Sequence, residues 1–259
     1  MSVPAWPRRP RLVAGNWKMH KTAEEAAALA RAILGVAGAD PGCALVVCPA
    51  FTALSSVAPI LEASPVMLGA QNLHAEPEGA FTGEISGPML AAAGCRWVIV
   101  GHSERRHGMG EDDVLVARKL RAALRSGLSP ILCVGETLEQ RERGETNSLL
   151  ERQVRAAVTG LSAHDLAATV IAYEPVWAIG TGKVATPGEA SSAHHTIRGT
   201  LDREAGTAAG AAMAILYGGS VNPKNAADLF GQAEIDGALV GGASLEAASF
   251  WAIAEAARR

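Results

Sequence analysis

Aromatic residues make up only 4% of this 259-residue chain, cysteine occurs four times, and no stretch of about eighteen apolar residues occurs. With so few rings, an apolar fraction of 49% rests on Ala, Val, Leu and Ile, which suits α/β layers better than an aromatic-rich sandwich. The cysteines, Cys43, Cys48, Cys95 and Cys133, form no C-x-x-C pair and mostly sit in or beside apolar runs. They read as reduced core thiols rather than bridges or metal ligands. A net charge of −3 argues against a general nucleic-acid or membrane binder, although Arg8, Arg9 and Arg11 cluster near the N-terminus. That segment, PAWPRRPR, lacks the apolar stretch of a signal peptide, so a soluble, cytoplasmic protein is expected. No Pro/Gly/Ser-rich linker divides the chain; one domain over 1–259 is expected, with 1–10 as a peripheral extension. Nor is there a metal-ligand cluster, a nucleotide motif or another cofactor signature.

What the chain does have is alternation. Short apolar runs at Arg11–Gly15, Ala44–Cys48, Val66–Ala70, Trp97–Gly101, Pro130–Val134, Thr169–Tyr173, Ala212–Tyr217 and Ile235–Val240 read as buried strands. Helical patterns follow them, beginning with a capping box of Thr22 and Glu25 and continuing at Thr52–Ala63, Pro88–Ala93, Asp112–Arg125, Asn147–Thr159, Pro187–Glu204, Pro223–Phe230 and Leu245–Ala257. Eight strand-helix units without a charged or shortened edge strand predict a closed (β/α)8 barrel rather than an open sheet. In such a barrel the chemistry gathers at the C-terminal strand ends.

The strand-end residues can therefore be taken as one set. Glu174 ends the sixth strand, and Pro175 stops the ladder there and keeps Glu174 extended. Val176, Trp177, Ala178 and Ile179 are too apolar for an ordinary solvated loop, while Gly180, Thr181 and Gly182 supply soft dihedrals, so 176–182 reads as a lid. The segment GTGKVA at 180–185 imitates a dinucleotide fingerprint, but Thr186-Pro187 places the helix start several residues too late. Asn16 and Lys18 follow the first strand, His102 and Glu104 the fourth, Gly218-Gly219-Ser220 the seventh and Gly241-Gly242 the eighth. Singly these are solvated amines, helix caps and turns. Together they bring a carboxylate, an imidazole, an ammonium and two glycine-rich phosphate cradles to one mouth.

Seven motifs carry a family resemblance: AGNWKM at 14–19, GAFTGE at 79–84, GHSERR at 101–106, CVGE at 133–136, AYEPVWAIGTGK at 172–183, YGGSV at 217–221 and LVGGASL at 239–245. In this order, along essentially the whole chain, they resemble the triosephosphate isomerase family. The resemblance implies interconversion of dihydroxyacetone phosphate and glyceraldehyde 3-phosphate without a cofactor. It implies Glu174 as the base, its pKa raised by desolvation under Val176, Trp177 and Ile179, and His102 as a neutral electrophile. Lys18 would stabilise the enediolate, Asn16 would donate a further hydrogen bond, and Glu104 would support Lys18. Phosphate would bind backbone N–H groups at Gly180, Ser220, Gly241 and Gly242. The long connection 71–85 would insert into a second copy in a homodimer, with Phe81 and Thr82 in the contact, Thr82 supporting the partner's active site, and Glu84 pairing with Arg105. Leu73 also looks poorly placed for solvent. Three rival readings remain: a barrel isomerase acting on a four-carbon ketose phosphate, an aldolase using Lys18 as a Schiff base, and a phosphate-binding protein without turnover.

Overall fold

The strands form because each is a short apolar run that can be buried on both faces, and a parallel sheet covered on both sides requires that. In a computed structural model describing residues 9–180 and 183–258, they are β1 (Leu12–Asn16), β2 (Ala44–Cys48), β3 (Val66–Ala70), β4 (Trp97–Val100), β5 (Ser129–Val134), β6 (Val170–Tyr173), β7 (Ile215–Tyr217) and β8 (Gly237–Val240). They close in sequence order, β1 pairing in parallel with both β2 and β8. The expected (β/α)8 barrel is therefore what the chain adopts.

Successive side chains on a strand point to opposite faces, and this splits the core into two. Leu12, Ala14, Val46, Cys48, Ile99, Ile131, Cys133, Ala172, Leu216 and Leu239 pack together as one cluster inside the barrel. Val13, Val47, Val100, Leu132, Ile171 and Val240 belong to a second cluster shared with the helices. All four cysteines are free thiols, and burial pushes Cys95 up to about 12.

The helices are α1 (Ala23–Ala37), α2 (Leu54–Leu61), α3 (Gly87–Ala92), α4 (Ser103–Gly108), α5 (Asp113–Arg125), α6 (Leu138–Glu142), α7 (Thr146–Val158), α8 (Ala163–Ala167), α9 (Pro187–Ala205), α10 (Thr207–Ala212), α11 (Ala226–Phe230) and α12 (Ala247–Ala256). Capping boxes open α1, from Thr22 and Glu25, and α9, from Thr186 and Glu189. Among the described residues, no helix is long and apolar enough to cross a membrane. Four of them, α4, α6, α8 and α10, were not expected from the sequence pattern. Ala212, expected to begin the seventh strand, instead ends α10, and β7 starts at Ile215.

The β7–β8 seam is the shortest, with Tyr217 opposite Ala238. Side chains close it below the ladder. Asp236 accepts the Ile215 N–H and Arg198 Nη2, each at 3.0 Å. Arg11 donates to Ile235 O at 2.7 Å and Phe230 O at 3.0 Å. Arg9, near the end of the extension, lies 3.6 Å from Asp236.

Candidate active site

Glu174 is placed by backbone contacts on both sides. Its N–H donates to Val134 O at 2.7 Å, and Gly218 N–H donates to Tyr173 O at 2.7 Å. Glycine is needed where these strand ends meet: a Cβ on Gly135 would fall 1.8 Å from Glu174 O, and one on Gly218 would fall 2.9 Å from Glu174 Cγ. The carboxylate is 2% exposed. Its Oε2 accepts the Ser103 N–H at 2.8 Å. Its Oε1 lies 2.9 Å from His102 Nε2, yet makes no well-aligned hydrogen bond. One carboxylate oxygen is thus buried and poorly satisfied, a costly arrangement that a better-aligned proton donor would relieve.

The expected upward shift of Glu174 is not what this arrangement produces. Burial pushes the carboxyl up, but His102, the Ser103 N–H and Lys18 together hold it below its ordinary value. A carboxylate that turned away from Ser103 and His102 would keep the burial and lose much of the stabilisation, so its basicity would rise.

His102 follows β4 and accepts the Glu104 N–H on Nδ1 at 3.3 Å. An N–H donor at Nδ1 needs a lone pair there, which selects the tautomer with its proton on Nε2 and works against imidazolium. Burial also disfavours the charged ring; the Glu174 and Glu104 carboxylates outweigh it and raise the pKa in this arrangement. That upward pull weakens when Glu174 moves off Nε2. The donor at Nδ1 and the burial remain, and both favour the neutral ring.

Lys18 has φ of 52°, a left-handed conformation that costs a residue with a Cβ roughly 1–2 kcal/mol. Neighbours hold it there. Asn16 Oδ1 accepts the Lys18 N–H at 3.0 Å, and Gln71 Nε2 donates to Lys18 O at 2.8 Å and Cys48 O at 2.9 Å. The chain is thereby turned so that Lys18 Nζ reaches Glu104 Oε1 at 2.5 Å.

Asn16, Lys18, His102 and Glu174 line a cavity of about 350 Å³ with Ile179, Gly180, Gly218, Gly219, Ser220, Leu239, Gly241 and Gly242. Among the described residues, the N–H groups of Ser220, Gly241 and Gly242 have no protein acceptor. Gly242 begins a 3₁₀ turn, Gly242–Leu245, and a Cβ built on it meets nothing within 4 Å. Unpaired amides facing open space form an anion cradle.

The segment expected as a lid begins as a 3₁₀ turn, Val176–Ala178, and Ala178 is fully buried. Thr181 and Gly182 lie outside the described residues. The start of this segment is fastened to Glu136, to which the sequence alone assigns no role. Glu136 O accepts the Val176 N–H at 3.0 Å, and the buried Oε1 accepts Trp177 Nε1–H at 2.9 Å and Tyr173 O–H at 3.1 Å. The Arg141 guanidinium lies over the Trp177 ring at 4.6 Å.

In the 71–85 connection, Phe81 is 43% exposed and lies against the His74 ring, 4.0 Å between centroids. Thr82 and Glu84 are exposed. Leu73, in contrast, is fully buried in its own chain, which explains its apolar character without a partner. Arg105 Nε donates to Glu111 Oε1 at 2.5 Å within the same chain.

A carboxylate beside an imidazole, an ammonium across the mouth and an anion cradle at the far wall suit one kind of chemistry. They can move a proton from a carbon next to a carbonyl in a small phosphorylated substrate. Comparison with known proteins points the same way. Residues 11–257 match the family model described as triosephosphate isomerase. The chain is 54% identical over 239 residues to the triosephosphate isomerase of Chloroflexus aurantiacus, covering 92% of this chain and 96% of that protein. It is 54% identical to that of Magnetococcus marinus over 95% of this chain and 97% of that protein, and 52% identical to that of Rhodopirellula baltica over the same shares.

Proposed function

The chain belongs to the triosephosphate isomerase family, and from that premise we propose how its barrel mouth interconverts dihydroxyacetone phosphate and D-glyceraldehyde 3-phosphate. The phosphate binds the N–H groups of Gly180, Ser220, Gly241 and Gly242, which places the carbonyl end of the substrate near Glu174 and His102. Glu174 leaves the Ser103 N–H and takes a proton from the carbon next to the carbonyl. His102, neutral, donates from Nε2 to the carbonyl oxygen and moves a proton between the two oxygens of the enediolate. Lys18 and Asn16 stabilise its negative charge. Glu174 then returns the proton to the neighbouring carbon, completing the exchange of ketose for aldose.

The observation that best supports these roles is the placement of Glu174. Its carboxylate is buried and lies 2.9 Å from the His102 imidazole, with a cavity and an unpaired amide cradle in front of it. A binding protein has no use for a buried base. A Schiff-base role for Lys18 fits poorly, because its ammonium is committed to Glu104 at 2.5 Å. Glu104 supports that ammonium from a position 55% exposed. The reaction serves glycolysis and, in reverse, gluconeogenesis, in the cytoplasm.

The functional unit in this reading is a homodimer. Met19, beside Lys18, is 94% exposed and Phe81 is 43% exposed, so an apolar contact at this end would cover both. A coupled assay on purified protein tests the activity. Fast turnover of the triose phosphates with slow turnover of a four-carbon ketose phosphate is expected; the reverse preference would assign the site to the longer substrate.

A further inference from the structure

An amide cradle grips phosphate only if its peptide groups are held in the right orientation, and one side chain controls that in the loop after β7. Upstream the loop is fixed by packing: a Cβ on Gly219 would fall 2.3 Å from the Tyr217 hydroxyl. Downstream, Asn225 Nδ2 donates to Ser220 O at 3.0 Å, while its Oδ1 accepts the Asn222 N–H at 2.8 Å. Among the described residues, this is the hydrogen bond that Ser220 O receives.

We propose that Asn225 is a positioning residue for the substrate phosphate, acting by fixing the Ser220–Val221 peptide and withdrawing the Asn222 N–H from the cradle. In a trans peptide the C=O and the following N–H point in opposite directions. Pinning Ser220 O toward Asn225 therefore sends the Val221 N–H the other way. The Val221 and Ser220 N–H groups have no protein acceptor among the described residues, and both residues line the cavity. Asn225 thus decides which amides of the loop are available to an anion and which is sequestered.

The simpler reading is that Asn225 is a helix cap. It does occupy the N-cap position of α11, but its side chain makes no cap hydrogen bond to that helix. A capping asparagine accepts from the second or third helical N–H; this one is turned back to the loop. Asn222 performs the local turn, its Oδ1 accepting the Lys224 N–H at 2.9 Å.

The proposal rests on the triosephosphate isomerase reading of the same site, and its test separates the two. Wild type, Asn225→Ala and Asn225→Asp are compared on D-glyceraldehyde 3-phosphate, on phosphate-free D-glyceraldehyde, and for inorganic phosphate affinity by calorimetry. Asn225→Ala is expected to lower kcat/KM on the phosphorylated substrate about tenfold, to weaken phosphate binding similarly, and to leave D-glyceraldehyde turnover within about twofold. Asn225→Asp keeps the acceptor for Asn222 but sets a carboxylate against Ser220 O. It retains one of the two Asn225 bonds and so serves as the second variant, and it should be at least as impaired. Equal losses on both substrates, or no loss on the phosphorylated one, would overturn the proposal. A wild type that bound phosphate without isomerising triose phosphate would overturn the functional reading instead, and the phosphate affinities would still decide the role of Asn225.

Discussion

Lowering the pH should destabilise this protein through one histidine behind β6, the strand that leads into Glu174. His194, on α9, is fully buried. Its ring meets the Tyr173 ring edge-on at 5.8 Å between centroids, one residue before Glu174. Nδ1 lies 3.1 Å from Glu234 O, so it carries the proton and donates, while Nε2 has no partner among the described residues. Burial lowers the His194 pKa from 6.5 to about 4, outweighing the opposing bond to Glu234. The unfolded chain therefore binds one more proton than the folded chain between those two values. Stability from this group is complete above 6.5 and is lost as the pH falls through the window toward 4. Through the linkage relation, the loss between pH 7 and pH 4.5 is on the order of 2 kcal/mol. Urea unfolding at fixed protein concentration, at pH 7, 5.5 and 4.5, should show this decline beneath that of the carboxylates. His194→Gln keeps a donor for Glu234 O but cannot titrate. Its absolute stability will be lower, but its decline with falling pH should be shallower by about 2 kcal/mol. Parallel declines in variant and wild type would mean that His194 does not take up a proton on unfolding in this window.

Two further outcomes follow from the mouth of the barrel. Gly180 has φ of 69°, which proline cannot adopt, so Gly180→Pro should disable the lid; kcat should fall and the fraction of methylglyoxal per turnover should rise, because a loosely held enediolate can eliminate its phosphate. An unchanged methylglyoxal ratio alongside a large loss of rate would remove the guarding role of 176–182. In the contact proposed around Phe81, Thr82→Arg should give monomers with little activity, since a charge would be buried there; a fully active monomer by light scattering would contradict the proposed dimer dependence.

Strands that are continuous apolar runs were readable from sequence alone. Ala44–Cys48 and Val66–Ala70 have the same ends in the structure, because burial on both faces leaves an unbroken signal. Short helices such as Leu138–Glu142 give too few turns for a periodic pattern. The alanine-rich stretch before β7 has no periodicity to separate helix from strand, and so Ala212 was misassigned. At the site, Glu174, His102 and Lys18 were legible as strand-end residues. Glu136, Gln71 and Asn225 were not, since each acts by hydrogen bonds to backbone or to residues far along the chain: Glu136 reaches Tyr173 and Trp177, and Gln71 reaches Lys18 and Cys48. The depressed Glu174 pKa was missed for a related reason. Its cause is the Ser103 N–H and His102 beside it, a geometry that burial alone does not imply.

In the proposed mechanism one carboxylate, Glu174, moves the carbon-bound proton, and the variant that bears on this first is Glu174→Asp. The substitution keeps the charge and withdraws the oxygens by one methylene, about 1.5 Å. Misplacement by about 1 Å can cost on the order of 10²-fold in rate. Steady-state kinetics on D-glyceraldehyde 3-phosphate, paired with inorganic phosphate affinity, should show kcat reduced by about 10²-fold with phosphate binding largely unchanged. Near wild-type kcat in Glu174→Asp would mean that another group takes the proton.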